Sequence, residues 1–290
     1  MRKEGLVRRL QHAGMDAAWS ATIRDPAGSD AYTAVSRVVE RLAIHTQELV
    51  ASARMPVVLG GDHTCAIGTW KGIARALAPR GPLGLIWIDA HMDAHTTQTS
   101  ESGRLHGMPL ACLLGVGDPR LTAIAGGTQL DPRQVCLVGV RSFETGEAAL
   151  LRRLGVRVFF MHEVVRRGLA AVMEEALAIA GSGASRYGIS LDLDAVDPRD
   201  APGVGSPVSG GIRAPELLRV LSRFGRDPAL AGLEIVEYNP HRDRRGKTAL
   251  LAADAIEALL APRALRPVIA GPASSNDGSY AAKDRPRRAA

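Results

Sequence analysis

The stretch Asp89-Ala90-His91-Met92-Asp93-Ala94-His95 sets carboxylates and imidazoles two residues apart. It follows directly on residues 83–89, LGLIWID, which read as a strand of the buried, parallel-sheet kind. Side chains at i and i+2 of a strand share a face, about 6.6 Å apart. An extended chain therefore lets Asp89, His91 and Asp93 converge. Asp192 and Asp194 close a second apolar run, residues 187–194, with the same spacing. Gly60-Gly61-Asp62-His63 closes a third, residues 55–60, and brings His63. Without a cation, two carboxylates about 4 Å apart repel by roughly 4 kcal/mol at an effective dielectric of about 20. Such a cluster needs cations or shifted protonation. Two divalent ions balance four carboxylates. Oxygen-rich donors with imidazole and no thiolate favour Mn²⁺, with Fe²⁺, Co²⁺ and Ni²⁺ also suited, over a structural Zn²⁺ site. Two metals sharing a water make hydroxide near neutral pH and clamp a polar carbon electrophile, so the reaction class is hydrolysis.

Two further residues suit that chemistry. Glu237 arrives from a fourth strand and is free to face a planar cation such as a guanidinium, which a carboxylate meets with two charge-assisted hydrogen bonds. His106 lies on the loop after the cluster, in Ser102-Gly103-Arg104-Leu105-His106-Gly107, where an imidazole can shuttle protons. Each motif alone has an ordinary explanation. Asp-x-His-x-Asp can be surface charge, Asp-x-Asp before Asp-Pro is common in turns, and Gly-Gly-Asp-His can be a tight turn with a helix cap. Their joint placement at strand ends of one domain points to metal. His12, His45, His162 and His241 lack such context and read as structural.

The elements that must position these side chains alternate. Apolar runs at 55–60, 83–89, 135–140, 156–161, 187–194 and 233–239 read as strands. Helical periodicity covers 31–54, about 64–78, the EAALLRRL stretch, about 164–180, 214–224 and 247–261. This order predicts an α/β fold with a mainly parallel sheet, and ligands in such sheets sit beyond the carboxyl ends of the strands. Residues 1–265 read as one domain, and 266–290, rich in Pro, Gly, Ser and charge, as a disordered basic tail.

Composition narrows the class. Of the 290 residues, 46% are hydrophobic and 23% charged, which suits a soluble globular enzyme. No apolar run is long enough to span a bilayer, and the start carries no secretory signal. Three widely spaced cysteines without a Cys-x-x-Cys argue against a disulfide framework and fit a reducing, cytoplasmic setting. Much of the net charge of +6 sits in the tail, and only 4% of residues are aromatic, which speaks against nucleic-acid binding.

The ordered set Gly60-Gly61-Asp62-His63, Asp89-x-His91-x-Asp93, Ser190-Leu191-Asp192-Leu193-Asp194-Ala195-Val196-Asp197-Pro198 and Pro202-Gly203-Val204-Gly205-Ser206-Pro207 resembles the ureohydrolases, over about residues 5–262. Within them the Ser102–Gly107 loop and Glu237-x-Asn239-Pro240 look most like a bacterial-type arginase. The resemblance implies a three-layer αβα fold and a binuclear Mn²⁺ site. One ion would take His63, Asp89, Asp93 and Asp192, and the other His91, Asp89, Asp192 and Asp194. A bridging hydroxide would attack the guanidinium carbon, with Asp93 accepting its proton, Glu237 orienting the guanidinium and His106 relaying protons to the leaving amine. It also implies a homotrimer or homohexamer.

Three departures stand out against the resemblance. The family's opening strand and glycine-rich loop have no match before the part that resembles it, so either the given start lies too late or the sheet lacks its usual first strand. His95 and Arg104 stand where asparagines usually help hold the substrate α-carboxylate, while Ser102 matches the family's carboxylate-binding serine. Glu144 stands where an aspartate usually serves the α-amino group, and its longer arm does the same work or selects another chain length. The expected reaction is L-arginine to L-ornithine and urea. The alternatives are an agmatinase, guanidinobutyrase or formimidoylglutamase type, or a metal-free binding or regulatory protein that kept the scaffold.

Overall fold

A computed structural model describes residues 3–25, 30–225 and 227–261. Six strands form one sheet: β1 (Val57–Leu59), β2 (Leu83–Ile88), β3 (Val135–Val140), β4 (Arg157–Phe160), β5 (Arg186–Asp192) and β6 (Leu230–Val236). Their order is β1-β6-β5-β2-β3-β4, and every pairing is parallel. The sheet expected to be mainly parallel is wholly so. The inner strands β2, β3 and β6 are buried along their whole length, and β5 from Tyr187 on, which is why they read as mostly apolar runs.

Ten helices accompany them among the described residues: α1 (Lys3–His12), α2 (Ala31–Ala51), α3 (Cys65–Leu77), α4 (Pro109–Leu113), α5 (Pro119–Thr122), α6 (Thr145–Leu154), α7 (Met161–Arg167), α8 (Leu169–Gly181), α9 (Ala214–Phe224) and α10 (Lys247–Leu260). One apolar core gathers residues of α1 and α7 to α10, such as Leu10, Val172, Val220 and Ile256, against one face of the sheet. A second joins Trp70 and Ile73 of α3, Leu113 of α4 and Leu151 of α6 on the other face. Helices on both faces of a parallel sheet make three layers.

Local chemistry sets the boundaries. Asp30 caps α2 by accepting the Thr33 N–H at 3.0 Å. Glu144 and Glu147 form a capping box at the start of α6, and Gly155, at φ 76°, ends it. The single helix expected over about 164–180 is two, because Gly168 at φ 81° interrupts the turn between α7 and α8.

Among the described residues no strand pairs with the outer edge of β1. Val57 and Met55 are exposed at that edge, beside an apolar cavity of about 1050 Å³ lined by α1, α2 and β1. No described helix is long and apolar enough to cross a membrane. The tail expected to be disordered, 266–290, lies outside the described residues.

Candidate active site

The strands that end in chemistry are neighbours. β1, β6, β5 and β2 are contiguous in the sheet; His63, Glu237 and Asp89 lie just beyond the carboxyl ends of β1, β6 and β2, and Asp192 is the last residue of β5. Chain order reverses between β5 and β2, the usual place for a ligand in such a sheet.

The extended path expected through Asp89, His91 and Asp93 does not persist. β2 stops at Ile88, and Asp89 Oδ1 accepts the His91 N–H at 2.7 Å, turning the chain off the sheet. Asp192 repeats the device. Its Oδ1 accepts the Asp194 N–H at 2.7 Å, so Asp194 sits in a single 3₁₀ turn and not on β5. Asp93 and Glu237 adopt φ of 49° and 63°, a left-handed backbone uncommon for non-glycine residues. Convergence comes from these turns rather than from strand periodicity.

Two donor groups result. The ligand-capable atoms of His63, Asp89 and Asp93 lie within 4.8 Å of one another, as do those of Asp89, His91 and Asp194. His63 Nδ1 stands 3.1 Å from Asp89 Oδ2, 3.0 Å from Asp93 Oδ2 and 3.1 Å from Asp192 Oδ2. His91 Nδ1 stands 3.5 Å from Asp89 Oδ1 and 3.2 Å from Asp194 Oδ2. Asp89 thus turns one oxygen to each histidine. His63, Asp89, Asp192 and Asp194 are buried, and His91 is half-buried.

The electrostatics are those of a site short of positive charge. Burial pushes Asp93 up to about 8, helped by the charge of Asp89. Burial and the neighbouring Asp194 and Asp89 raise Asp192 well above the usual carboxylate range, and burial with Asp89 raises Asp194. Burial opposes ionisation of Asp89 too, but His63 and His91 hold it well below the usual carboxylate range. Burial works against charge on both histidines, yet the close carboxylates win, lifting His63 strongly and His91 to about 12. His63 Nδ1 is the telling atom. It is buried among three carboxylate oxygens and makes no well-angled hydrogen bond with any of them. Divalent cations suit that arrangement, with oxygen and imidazole donors and no thiol among them.

Glu237 is half-buried, and its Oε1 accepts the His63 N–H at 3.0 Å. Burial raises its carboxyl to about 7. Beyond Asp93 a second polar group forms. His95 Nε2 meets Glu144 Oε2 at 2.8 Å and lies 3.5 Å from Glu147 Oε2. Burial and the Glu144 carboxylate lift Glu147 to about 7. His106 is half-buried in the 3₁₀ turn Leu105–Gly107, which is tied to the cluster where Gly107 O accepts the His95 N–H at 2.9 Å. Ser102 and Arg104 stand exposed on the same loop, the Ser102 Oγ accepting the Arg104 N–H at 3.3 Å.

Four supporting residues carried no role in the sequence reading. Trp87 stacks on His63, with ring centroids 3.9 Å apart and planes 11° from parallel, and donates its Nε1–H to Asp89 Oδ2 at 2.9 Å. Ser190 and Glu234 lie behind His63. Arg141 donates to the carbonyls of Gly139, Asp194, Ala195, Val208 and Ser209, fixing the turn that carries Asp194. A signal existed for two of them. Trp87 precedes Asp89 by two residues on β2, and Glu234 is an acid inside the apolar run of β6.

The arginase family model matches residues 8–261. The arginase of Bacillus caldovelox is 44% identical over 220 residues, 76% of this chain and 73% of that protein. The chain belongs to the arginase family. The arginase family also accounts for the fold. The crystal structure of Bacillus subtilis arginase superposes with a TM-score of 0.81 at 36% identity, covering 90% of both chains. Formimidoylglutamase from Bacillus subtilis superposes less closely, with a TM-score of 0.68 at 25% identity over 81% of this chain and 68% of that one. Membership in the arginase family makes this chain an amidinohydrolase.

Proposed function

We propose that this chain hydrolyses L-arginine to L-ornithine and urea at a centre of two divalent cations, with Mn²⁺ the preferred ion. The observation that carries the reading is the orphaned His63 Nδ1 among the oxygens of Asp89, Asp93 and Asp192. His63, Asp89, Asp93 and Asp192 would hold one ion, and His91, Asp89, Asp192 and Asp194 the other. When bound, the pair supplies a water ionised near neutral pH and a Lewis acid for the substrate.

The chain's own residues do the rest. Glu237 has Oε1 engaged by the His63 N–H, which leaves Oε2 to accept from a guanidinium. A guanidinium beside it draws its raised carboxyl back to the ionised form. Asp93 accepts a proton as the nucleophile adds, and His106 passes one to the leaving amine. Ser102, Arg104 and His95 meet the substrate α-carboxylate, and Glu144 the α-amino group. The same family likeness supports a homotrimer or homohexamer and a cytoplasmic setting.

One observation favours a second reading. His95 and Glu144 bind each other, so two of the four residues assigned to the amino-acid end are already paired. A guanidino or formimino compound with a different far end would leave that pair intact. A panel of L-arginine, agmatine, guanidinobutyrate and formiminoglutamate with Mn²⁺, Co²⁺ and Ni²⁺ separates the two. Fastest cleavage of L-arginine supports the first reading. Faster cleavage of agmatine, guanidinobutyrate or formiminoglutamate than of L-arginine overturns it in favour of another amidinohydrolase.

A further inference from the structure

Three strands place one residue each in a row beneath His63. Trp87 on β2 is the register partner of Ser190 on β5, and Ser190 is the register partner of Glu234 on β6. All three are fully buried. Trp87 stacks on the His63 ring, and Ser190 Oγ lies 3.0 Å from His63 Nε2. Ser190 Oγ also lies 2.7 Å from Glu234 Oε2.

The proton inventory of this row decides the direction of each bond. Ser190 has one hydroxyl proton. The Trp70 Nε1–H, which can only donate, points at Glu234 Oε2 at 3.0 Å and makes that oxygen an acceptor. An acceptor 2.7 Å away claims the Ser190 proton. Glu234 Oε1 meets Thr69 Oγ1 at 2.6 Å, so even a protonated Glu234 would carry its proton there and leave Oε2 accepting. Ser190 Oγ is then left to accept, and His63 Nε2 must donate. A neutral imidazole with its proton on Nε2 has its lone pair on Nδ1. Nδ1 is the atom that faces Asp89, Asp93 and Asp192.

We propose that Glu234 is a positioning residue which, through Ser190, locks His63 in the tautomer that offers Nδ1 to a divalent cation. Trp70 serves as the fixed reference that orients Glu234, and Gly188 makes room for it, since a Cβ there would stand 2.0 Å from the indole ring. The inference rests on the reading of His63 as a metal ligand. Partners of this kind typically change metal affinity about 10- to 100-fold.

The test is ¹⁵N spectroscopy of histidine-labelled, Zn²⁺-loaded protein, paired with Mn²⁺ affinity by chelator competition. In the wild type, the His63 proton is expected on Nε2; a proton on Nδ1 overturns the inference without any variant. Ser190→Ala removes the acceptor and is expected to weaken Mn²⁺ binding about 10- to 100-fold. Glu234→Gln can keep its carbonyl oxygen toward Trp70 and Ser190 and turn its amide toward Thr69. It is therefore expected to keep wild-type affinity and an unchanged His63 spectrum. Glu234→Leu removes the acceptor of the Ser190 proton and is expected to weaken Mn²⁺ binding about 10- to 100-fold, with Glu234→Gln as the variant that keeps it. Wild-type affinity in Ser190→Ala or in Glu234→Leu, or loss of the Nε2 proton in Glu234→Gln, overturns the lock while leaving the metal reading intact. Failure of the wild type to bind Mn²⁺ overturns both.

Discussion

The His63 imidazole lies face to face with the Trp87 indole, ring centroids 3.9 Å apart. The same indole donates to Asp89 Oδ2. One buried aromatic therefore seats two ligand candidates, fixing the plane of the imidazole and one lone pair of the carboxylate. Groups behind a metal ligand set its orientation and basicity. Trp87→Phe keeps a stacking surface and deletes the donor. We expect the folded variant to bind Mn²⁺ about tenfold more weakly, read by chelator competition. An affinity equal to wild type would make the Trp87 hydrogen bond irrelevant to the centre.

Asp194 faces His91 alone, while Asp89 faces both histidines. Asp194→Ala should therefore empty one ion position and spare the other. Elemental analysis is expected to fall from two ions per chain to one, with urea release reduced at least about 10³-fold, because a paired site loses its clamp. Retention of both ions would remove Asp194 from the ligand set.

His106 stands on a turn tied by backbone bonds to the cluster but contributes no ligand atom to either donor group. His106→Ala should keep full metal content and slow turnover by about 10²- to 10⁴-fold, the usual range for a lost proton carrier. The steady-state kcat decides the matter, since normal turnover would strike His106 from the mechanism.

Metal uptake and proton release are linked here. In the metal-free centre, His63 and His91 are held protonated by the carboxylates around them and Asp93 titrates at about 8. A cation must displace those protons. Lowering the pH favours the protonated, metal-free form, so Mn²⁺ affinity should rise with pH between about 6.5 and 8.5. Each proton displaced contributes about tenfold per pH unit. Titrations in buffers of different ionisation enthalpy count the protons. A pH-independent affinity would mean that the ions bind elsewhere.

How much of this was legible beforehand follows from physical causes. All six strands announce themselves as short apolar runs, and the four inner ones most clearly, because strands buried on both faces carry few polar residues. Their ends are where the reading slipped. Asp93, Asp194 and Glu237 leave the strands on turns built by Asp side chains and left-handed backbone, which periodicity cannot register. The break at Gly168 was missed because a glycine inside an apolar periodic stretch costs only about 1 kcal/mol and is often tolerated. The row Trp87–Ser190–Glu234 depends on the register between strands distant in sequence, which no local spacing encodes. The pairing of His95 with Glu144 was likewise invisible, although both residues had been singled out separately.

The most direct measurement is a count of Mn²⁺ ions on the loaded, gel-filtered chain, taken together with urea released from L-arginine by the same sample. The account predicts two ions per chain and urea formation that stops on chelation and returns with Mn²⁺. Fewer than about one ion per chain, or urea formed equally well after chelation, would contradict it.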